Sequence, residues 1–273
     1  MTRLIRVFPR RTSCTPCDDM AFIGPPPLSL PYADEVHVSA TFIWDKAPAE
    51  YLEAAWSQYY PVVKLGGPAF DSPADDFVPG LYVRRGVTFT SRGCPRRCPF
   101  CLVPRREGTL RLLDPIPEGH MIQDNNFLAC PKAHREKVYA MLRRQRRAAV
   151  FTGGLDGRLV TDEIAEELGT IRIRSVFLAC DSPAQIKPLI EAANLLAYLG
   201  RNKLRCYVMV GFRGETIGKA QERLQAVWDA GCLPFCQLYQ PPERRLVYPQ
   251  EWRNMQRLWS RPAATKRIAL HDR

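Results

Sequence analysis

The stretch Thr88-Phe89-Thr90-Ser91-Arg92-Gly93-Cys94-Pro95-Arg96-Arg97-Cys98-Pro99-Phe100-Cys101 sets three cysteines at C-x3-C-x2-C, directly behind the strand-like run Val87 to Thr90. Three thiolates on one tight loop are soft donors that suit an iron-sulfur cluster or zinc. A coordination shell closed by protein alone calls for four donors, and three on one loop leave one metal position open. A zinc site would want a second ligand pair at a regular distance. The nearest candidates, Cys130 and His134, stand far along the chain at the start of an expected helix. Three ordinary buried thiols are the other alternative.

The rest of the composition narrows the setting. A chain of 273 residues with 46% hydrophobic residues can bury one large domain or two unequal ones. It holds no run of about 18 apolar residues, and Met1-Thr2-Arg3-Leu4-Ile5-Arg6 has no apolar h-region, so a soluble, cytoplasmic protein without a membrane partner is expected. Ten cysteines, three of them clustered, fit reduced thiols better than a disulfide framework. The net charge of +11 comes largely from arginines at Arg84-Arg85, Arg92 to Arg111, Arg135 to Arg147, Arg244-Arg245 and Arg253 to Arg267. Such an excess points to a polyanionic partner, nucleic acid above all, with a solvated basic surface as the bland alternative.

Three regions are expected: residues 1–86, 87–240 and 241–273. In the first, the prolines Pro25-Pro26-Pro27 and Pro31 argue for irregular chain up to about residue 34. Cys14-Thr15-Pro16-Cys17 is an isolated C-x2-C with no matching pair. From Glu35, a strand over Val36, Val38 and Phe42-Ile43, a helix over Ala47 to Tyr59 and a strand over Val62 to Leu65 form a βαβ unit, closed by a turn at Gly66-Gly67-Pro68. Beyond Val87 the pattern alternates. Strands are expected at Met121-Ile122, Ala149 to Phe151, Val176 to Ala179, Arg205 to Val210 and Cys232 to Leu238, with helices over Pro131 to Arg146, Thr161 to Leu168, Ala184 to Leu199 and Thr216 to Ala230. Six strand-then-helix units, the last lacking a clear helix, read as an α/β fold with a parallel sheet whose strand C-termini mark the active face.

With the aromatic Phe100 directly before its last cysteine, the loop resembles the cluster loop of radical S-adenosylmethionine (radical SAM) enzymes. That resemblance implies a (βα)6 partial TIM barrel, here with a small N-terminal βαβ extension. It also implies a [4Fe-4S] cluster on Cys94, Cys98 and Cys101, with SAM chelating the fourth iron. An external electron donor would reduce the cluster, which would cleave SAM to methionine and a 5′-deoxyadenosyl radical. A longer similarity, through Phe42-Ile43-Trp44-Asp45, Leu65-Gly66-Gly67-Pro68-Ala69-Phe70, Thr90-Ser91-Arg92-Gly93-Cys94, Arg106-Glu107-Gly108, Asp124-Asn125-Asn126, Phe151-Thr152-Gly153-Gly154-Leu155 and Arg205-Cys206-Tyr207, is to phage and bacterial radical SAM proteins. Some phage members are associated with thymidine hypermodification. There a radical SAM isomerase moves a glycyl group on the thymine methyl from nitrogen to carbon linkage, in DNA modification that protects the virus from host restriction. For a phage protein the expected location is the host cytoplasm. Modification of tRNA or of a small metabolite is the alternative within the family, and a zinc protein that binds nucleic acid is the alternative outside it.

The same resemblance assigns residues at the strand C-termini. Asp124-Asn125-Asn126 replaces the family's Gly-Gly-Glu-like segment, so Asp124, beside Asn125, is expected to receive the SAM ammonium. Asp181 and Ser182 suit ribose hydroxyls, although Ser182 before Pro183 also reads as a helix cap. Gly211 resembles the adenine-contacting glycine segment. Gly153 and Gly154 permit close backbone approach, and Arg158 offers a fork for a carboxylate or phosphate of SAM or substrate. Gln237, Tyr239 and Gln240 end the last strand, towards substrate. In the tail, Trp252, Met255 and Trp259 interleave with Arg253, Arg257, Arg261, Lys266 and Arg267, a pattern that fits base stacking or an amphipathic helix over the sheet's edge.

Overall fold

Leu4-Ile5-Arg6-Val7-Phe8 is rich in apolar and β-branched residues, and it forms β1 (Leu4–Phe8), with Ile5 and Val7 fully buried. Strands within residues 1–34 correct the expectation of irregular chain there: β1 pairs in parallel with β2 (Ala21–Ile23) on one side and β3 (Glu35–Ser39) on the other. The computed structural model describes residues 3–71 and 77–271. Helix α1 (Lys46–Ser57) then leads to β4 (Val63–Gly66), which lies parallel to β3 and completes the expected βαβ unit. Phe42-Ile43 does not extend β3; Ile43–Asp45 is a 3-10 turn leading into α1. The sheet order is β2-β1-β3-β4. Trp56 of α1 is fully buried against it, and its indole N–H donates to the Gly24 carbonyl at 3.2 Å, which holds the start of the proline run. Gly67, at φ 98°, has room for no side chain, because a Cβ would lie 2.6 Å from the Ala40 carbonyl oxygen. The Gly66-Gly67 pair is therefore a packing turn.

By contact density this unit comprises residues 1–87 with 105–107 and 242–245; the second comprises 88–104, 108–241 and 246–273. The second is built on β5 (Val87–Thr88), β8 (Met121–Ile122), β9 (Ala149–Leu155), β10 (Ile173–Ala179), β11 (Leu204–Val210) and β12 (Leu233–Leu238), hydrogen-bonded side by side in chain order. The register is parallel from β8 through β12. Between β5 and β8 come β6 (Ser91–Arg92), the single-turn helix α2 (Val103–Arg106) and β7 (Arg111–Leu112), where β6 and β7 pair antiparallel. The first expected strand-then-helix unit thus carries a hairpin and one helical turn in place of a full helix. The other crossovers are α3 (Lys132–Arg144), α4 (Asp162–Gly169), α5 (Ile186–Leu195) and α6 (Ile217–Asp229). Thr161 and Thr216 cap α4 and α6 by accepting the Ile164 and Lys219 amides. The helix expected over 184–199 is shorter, with 3-10 turns at Pro183–Gln185 and Ala197–Leu199 on either side of α5.

The faces of β11 show how the sheet is used. Leu204, Cys206, Val208 and Val210 are buried in the core that also holds Leu189, Leu224 and Val227 of the helices. Arg205, Tyr207 and Met209 alternate onto the other face and stay partly open. Helix α7 (Gln250–Trp259) packs on edge strand β12 through the buried Met255 and Trp259, with Trp252 against the same core, which bears out the edge-covering reading of the tail. Helix α8 (Pro262–His271) follows; the Arg267 side chain lies outside the described residues. Among the described residues no helix is long and apolar enough to cross a membrane.

One buried cation ties the strand ends together. Arg223 of α6 is 3% exposed and donates to the carbonyls of Cys180, at 2.9 Å, and Met209, at 2.8 Å, and to Glu215. It spans the ends of β10 and β11, and removing it takes from the part-buried Glu215 carboxylate its cationic partner, leaving the Gly211 amide. We expect Arg223→Ala to lower the unfolding free energy by about 3–5 kcal/mol in denaturant titration. A loss below about 1 kcal/mol, the scale of an exposed pair, would show that the network is ornamental.

Candidate functional site

The cysteine loop is fastened at three places to the C-terminal edge of the second unit's sheet and at a fourth to the β6–β7 hairpin. Asp124, just past β8 and 2% exposed, accepts the Thr90 amide at 2.6 Å, the Thr90 hydroxyl at 2.5 Å and the Ser91 hydroxyl at 2.7 Å. Gly93, at φ 76°, passes so close to the hairpin that a Cβ would lie 2.1 Å from the Thr109 carbonyl oxygen, and the Cys94 amide donates to the Gly108 carbonyl at 3.2 Å. Arg96 reaches past β9 to Asp156, Nε to Oδ2 at 2.9 Å. Phe100 meets Phe212, past β11, edge to face at 5.6 Å, and Phe212 meets Tyr239, past β12, at 4.9 Å.

The loop holds Cys94, Cys98 and Cys101 half-buried and free of disulfides. The Cys94 sulfur accepts the Arg96 amide at 3.4 Å and the Asn126 side-chain amide at 3.6 Å. Burial pushes the Cys98 and Cys101 thiols up; at Cys98 the Arg158 guanidinium opposes this, while Cys94 and Asp181 reinforce it. Cys98 feels Cys94 and Asp181 electrostatically, and Cys101 feels Cys98, Cys94 and Asp181, so one small region collects three sulfurs, a carboxylate and a guanidinium. Among the described residues no three His, Cys, Asp or Glu side chains converge tightly enough to enclose a single metal ion.

The remaining cysteines lie elsewhere. Cys130 is buried beside Ser91, with its thiol pushed up to about 11, and its carbonyl accepts Arg135. His134 is likewise buried, and burial lowers its imidazole. Both sit in the core behind the loop. Cys14 and Cys17 belong to the first unit.

The structure reassigns several expected ligand contacts. Asp124 spends both carboxylate oxygens on Thr90 and Ser91, so it is a brace and not a receptor for an external ammonium. Burial raises its carboxyl, and the three donors offset only part of that. Asn125 is half-exposed next to it. Its neighbour Asn126 is the better candidate: 3% exposed, it donates to Cys94 while its buried Oδ1 has no partner among the described residues. Gly153 is required by chain packing, since a Cβ would sit 1.9 Å from the Asp124 carbonyl oxygen, and Gly154, at φ 88°, faces the Tyr207 ring. The two lie in a bulge: Phe151 pairs with Val176 but Leu155 with Leu178, leaving three residues of β9 opposite one of β10.

Arg158 is not a free fork. It holds Asp156 through Nε at 2.7 Å and NH2 at 3.1 Å, on the carboxylate that also takes Arg96. Burial alone would raise Asp156, yet the hydrogen bonds and charges of Arg158 and Arg96 win and hold it below its ordinary value of 3.8. Asp181 accepts the Met209 amide at 2.9 Å on Oδ1, and burial raises its carboxyl. Ser182 belongs to a capping box with Gln185, whose Oε1 accepts the Asp181 and Ser182 amides at 2.7 and 3.0 Å, so the helix-cap reading holds. Gly211, at φ 81°, is covered by the Tyr248 hydroxyl, 2.8 Å from where a Cβ would stand, and its amide donates to Glu215. It does not present an open face to a purine. Gln240 is bound to the Leu246 backbone through both ends of its amide.

On neighbouring strands, Phe177 of β10 and Tyr207 of β11 stack at 4.6 Å, and Phe235 of β12 meets Tyr207 edge-on at 5.7 Å. Arg205 lies 5.3 Å from the Phe177 ring centre, and the Tyr207 hydroxyl donates to the Thr152 carbonyl at 3.0 Å. This aromatic wall belongs to the half-open face of β10, β11 and β12. Compared with known proteins, the chain matches no family model and no curated protein.

The Asp156 bridge yields a direct test. A carboxyl with a depressed folded value stabilises above its ordinary value and loses that contribution as pH falls through the folded one. The bridge is therefore intact at neutral pH, and Asp156→Asn removes its charge there. Alkylation of Cys98 at pH 7, followed by peptide mass spectrometry, should speed up several-fold in this variant while buried Cys130 is unchanged.

Proposed function

We propose that this protein is a radical SAM enzyme whose six-stranded sheet is a (βα)6 partial barrel. In this reading Cys94, Cys98 and Cys101 hold three irons of a [4Fe-4S] cluster, and SAM occupies the fourth. When bound, that pair supplies one-electron cleavage of a sulfonium and a radical able to take a hydrogen atom from substrate. The observation that carries the reading is the pairing of a three-thiol loop with Asn126, which has one amide atom on Cys94 and the other buried with no partner among the described residues. A buried oxygen without a donor is a standing cost of about 1–3 kcal/mol, removed by a ligand ammonium placed beside the cluster.

The other residues have supporting work. Asp124 and the Arg96–Asp156–Arg158 bridge keep the loop from shifting when a ligand docks. Asp181 keeps one carboxylate oxygen clear of the Met209 amide, for a hydroxyl donor. Phe177 and Tyr207, stacked on one another with Phe235 edge-on to both, form an aromatic cluster that would exclude water from a reactive carbon. An external electron donor is part of the proposal, as is a cytoplasmic setting. For substrate we propose a glycyl-modified thymidine in DNA, isomerised from nitrogen to carbon linkage. The support is the likeness in sequence, the aromatic cluster and the net charge of +11. Modification of tRNA would use the same aromatic cluster and charge.

Anaerobic reconstitution should give about four irons per chain and SAM-dependent release of 5′-deoxyadenosine. Cys98→Ala should abolish that release, and full activity in this variant would refute the site. Asn126→Ala should weaken SAM binding about tenfold, the loss of one charge-assisted hydrogen bond, with iron content retained.

A further inference from the structure

The first unit carries a second crevice, unconnected with the cysteine loop in the reading above. Its sheet order, β2-β1-β3-β4, reverses direction at β1: the chain leaves β1 towards β2 on one side, and leaves β3 towards β4 on the other. Such a reversal in a parallel sheet opens a crevice beyond the strands' carboxyl ends, the place where ligands of open α/β sheets bind. A cavity of about 50 Å³ lies there, lined from the β1 exit by Phe8, Arg10, Thr12 and Thr15 and from the β3 exit by Ser39, Thr41 and Asp45. Cys14 and Tyr82 also line it.

Its donor set is built around Arg10. Asp45, 8% exposed, accepts Arg10 Nε at 2.9 Å, and Phe42 and Trp44, stacked at 4.8 Å, support the guanidinium at 4.8 and 5.7 Å from their ring centres. The two terminal nitrogens of Arg10 make no hydrogen bond among the described residues. A guanidinium fixed flat with its fork empty is preorganised for two oxygens of one anion. Thr12 and Thr15 are tied in a turn, with their hydroxyls 3.0 Å apart and the Cys14 amide on Thr12 at 3.2 Å. Ser39 and Thr41 add hydroxyls from the other side. Among the described residues the only carboxylate in the lining is already engaged by Arg10, so what they offer is mostly donors.

Size then decides the ligand class. At about 10–15 Å³ per water-sized place, the cavity has room for a few oxygens and none for a nucleoside. We propose that this crevice binds a phosphate-sized tetrahedral oxyanion, either free phosphate or the terminal phosphate of an organic ester whose remainder projects into solvent past half-exposed Arg10.

Cys14 and Cys17 provide the readout, because Cys14 lines the cavity whereas Cys17 is exposed and does not. Full-length reduced protein is alkylated with iodoacetamide at constant ionic strength, with chloride replaced stepwise by inorganic phosphate or by adenosine 5′-monophosphate, and both cysteines are followed by peptide mass spectrometry. We expect saturable protection of Cys14 and none of Cys17. Protection by both compounds identifies a phosphoester site, and protection by phosphate alone a free-anion site. Arg10→Met should raise the half-protecting concentration about tenfold, whereas Arg146→Met, which removes an equal charge in the other unit, should leave it unchanged. Thr41→Val, at an exposed position that folding does not depend on, should raise it by a smaller factor. Protection no greater than in chloride, or equal protection in Arg10→Met, would overturn the proposal.

Discussion

A carboxylate withdrawn from water sets the geometry of the site. Asp124 gains nothing from solvent, so its stability rests on three donors that all come from Thr90 and Ser91, the residues leading into the cysteine loop. Losing any one of them would leave a buried charge undersatisfied, which makes the attachment close to all-or-none. The segment from β5 is thus locked to the end of β8, and Gly93 and the hairpin leave the following backbone one path. The three sulfurs inherit that rigidity.

The second brace is electrostatic. Two arginines on one buried carboxylate would be an expensive arrangement if either were missing, since Asp156 would then be desolvated with half its compensation. With both present, Arg96 fixes the middle of the loop and Arg158 places a positive charge beside Cys98. Burial raises the Cys98 thiol, and Arg158 opposes that rise while Cys94 and Asp181 add to it. The two sheets divide the work by topology. The one with strands in uninterrupted chain order gathers all its strand exits at one edge under the cysteine loop. The one that reverses opens its crevice at β1 and β3.

Much of this was legible in the sequence, and what was not failed for physical reasons. Alternating apolar runs and threonine caps located β9 to β12, α4 and α6 because local periodicity and capping determine them. The strand Leu4–Phe8 was readable from its β-branched and apolar residues, but the prolines that follow dominated the reading of that region. Asp124 after a strand can face a ligand or brace a backbone, and its partners Thr90 and Ser91 stand 34 and 33 residues earlier in the chain, a distance no local pattern spans. Gly153 likewise looks the same whether a ligand or the Asp124 carbonyl lies against it. Asn126, Asp156 and Arg223 were passed over because single polar residues carry no periodic signal. What marks them is burial together with a missing or shared partner, and both are properties of the fold.

The central claim is that Cys94, Cys98 and Cys101 serve three irons and leave a fourth to an external ligand. Mössbauer spectra of protein reconstituted with ⁵⁷Fe, recorded with and without SAM, address it most directly. The account predicts that one iron in four changes its isomer shift and quadrupole splitting when SAM is added, while the other three keep theirs. Irons that all stay alike with and without SAM, or a protein that takes up zinc and no cluster, would contradict it.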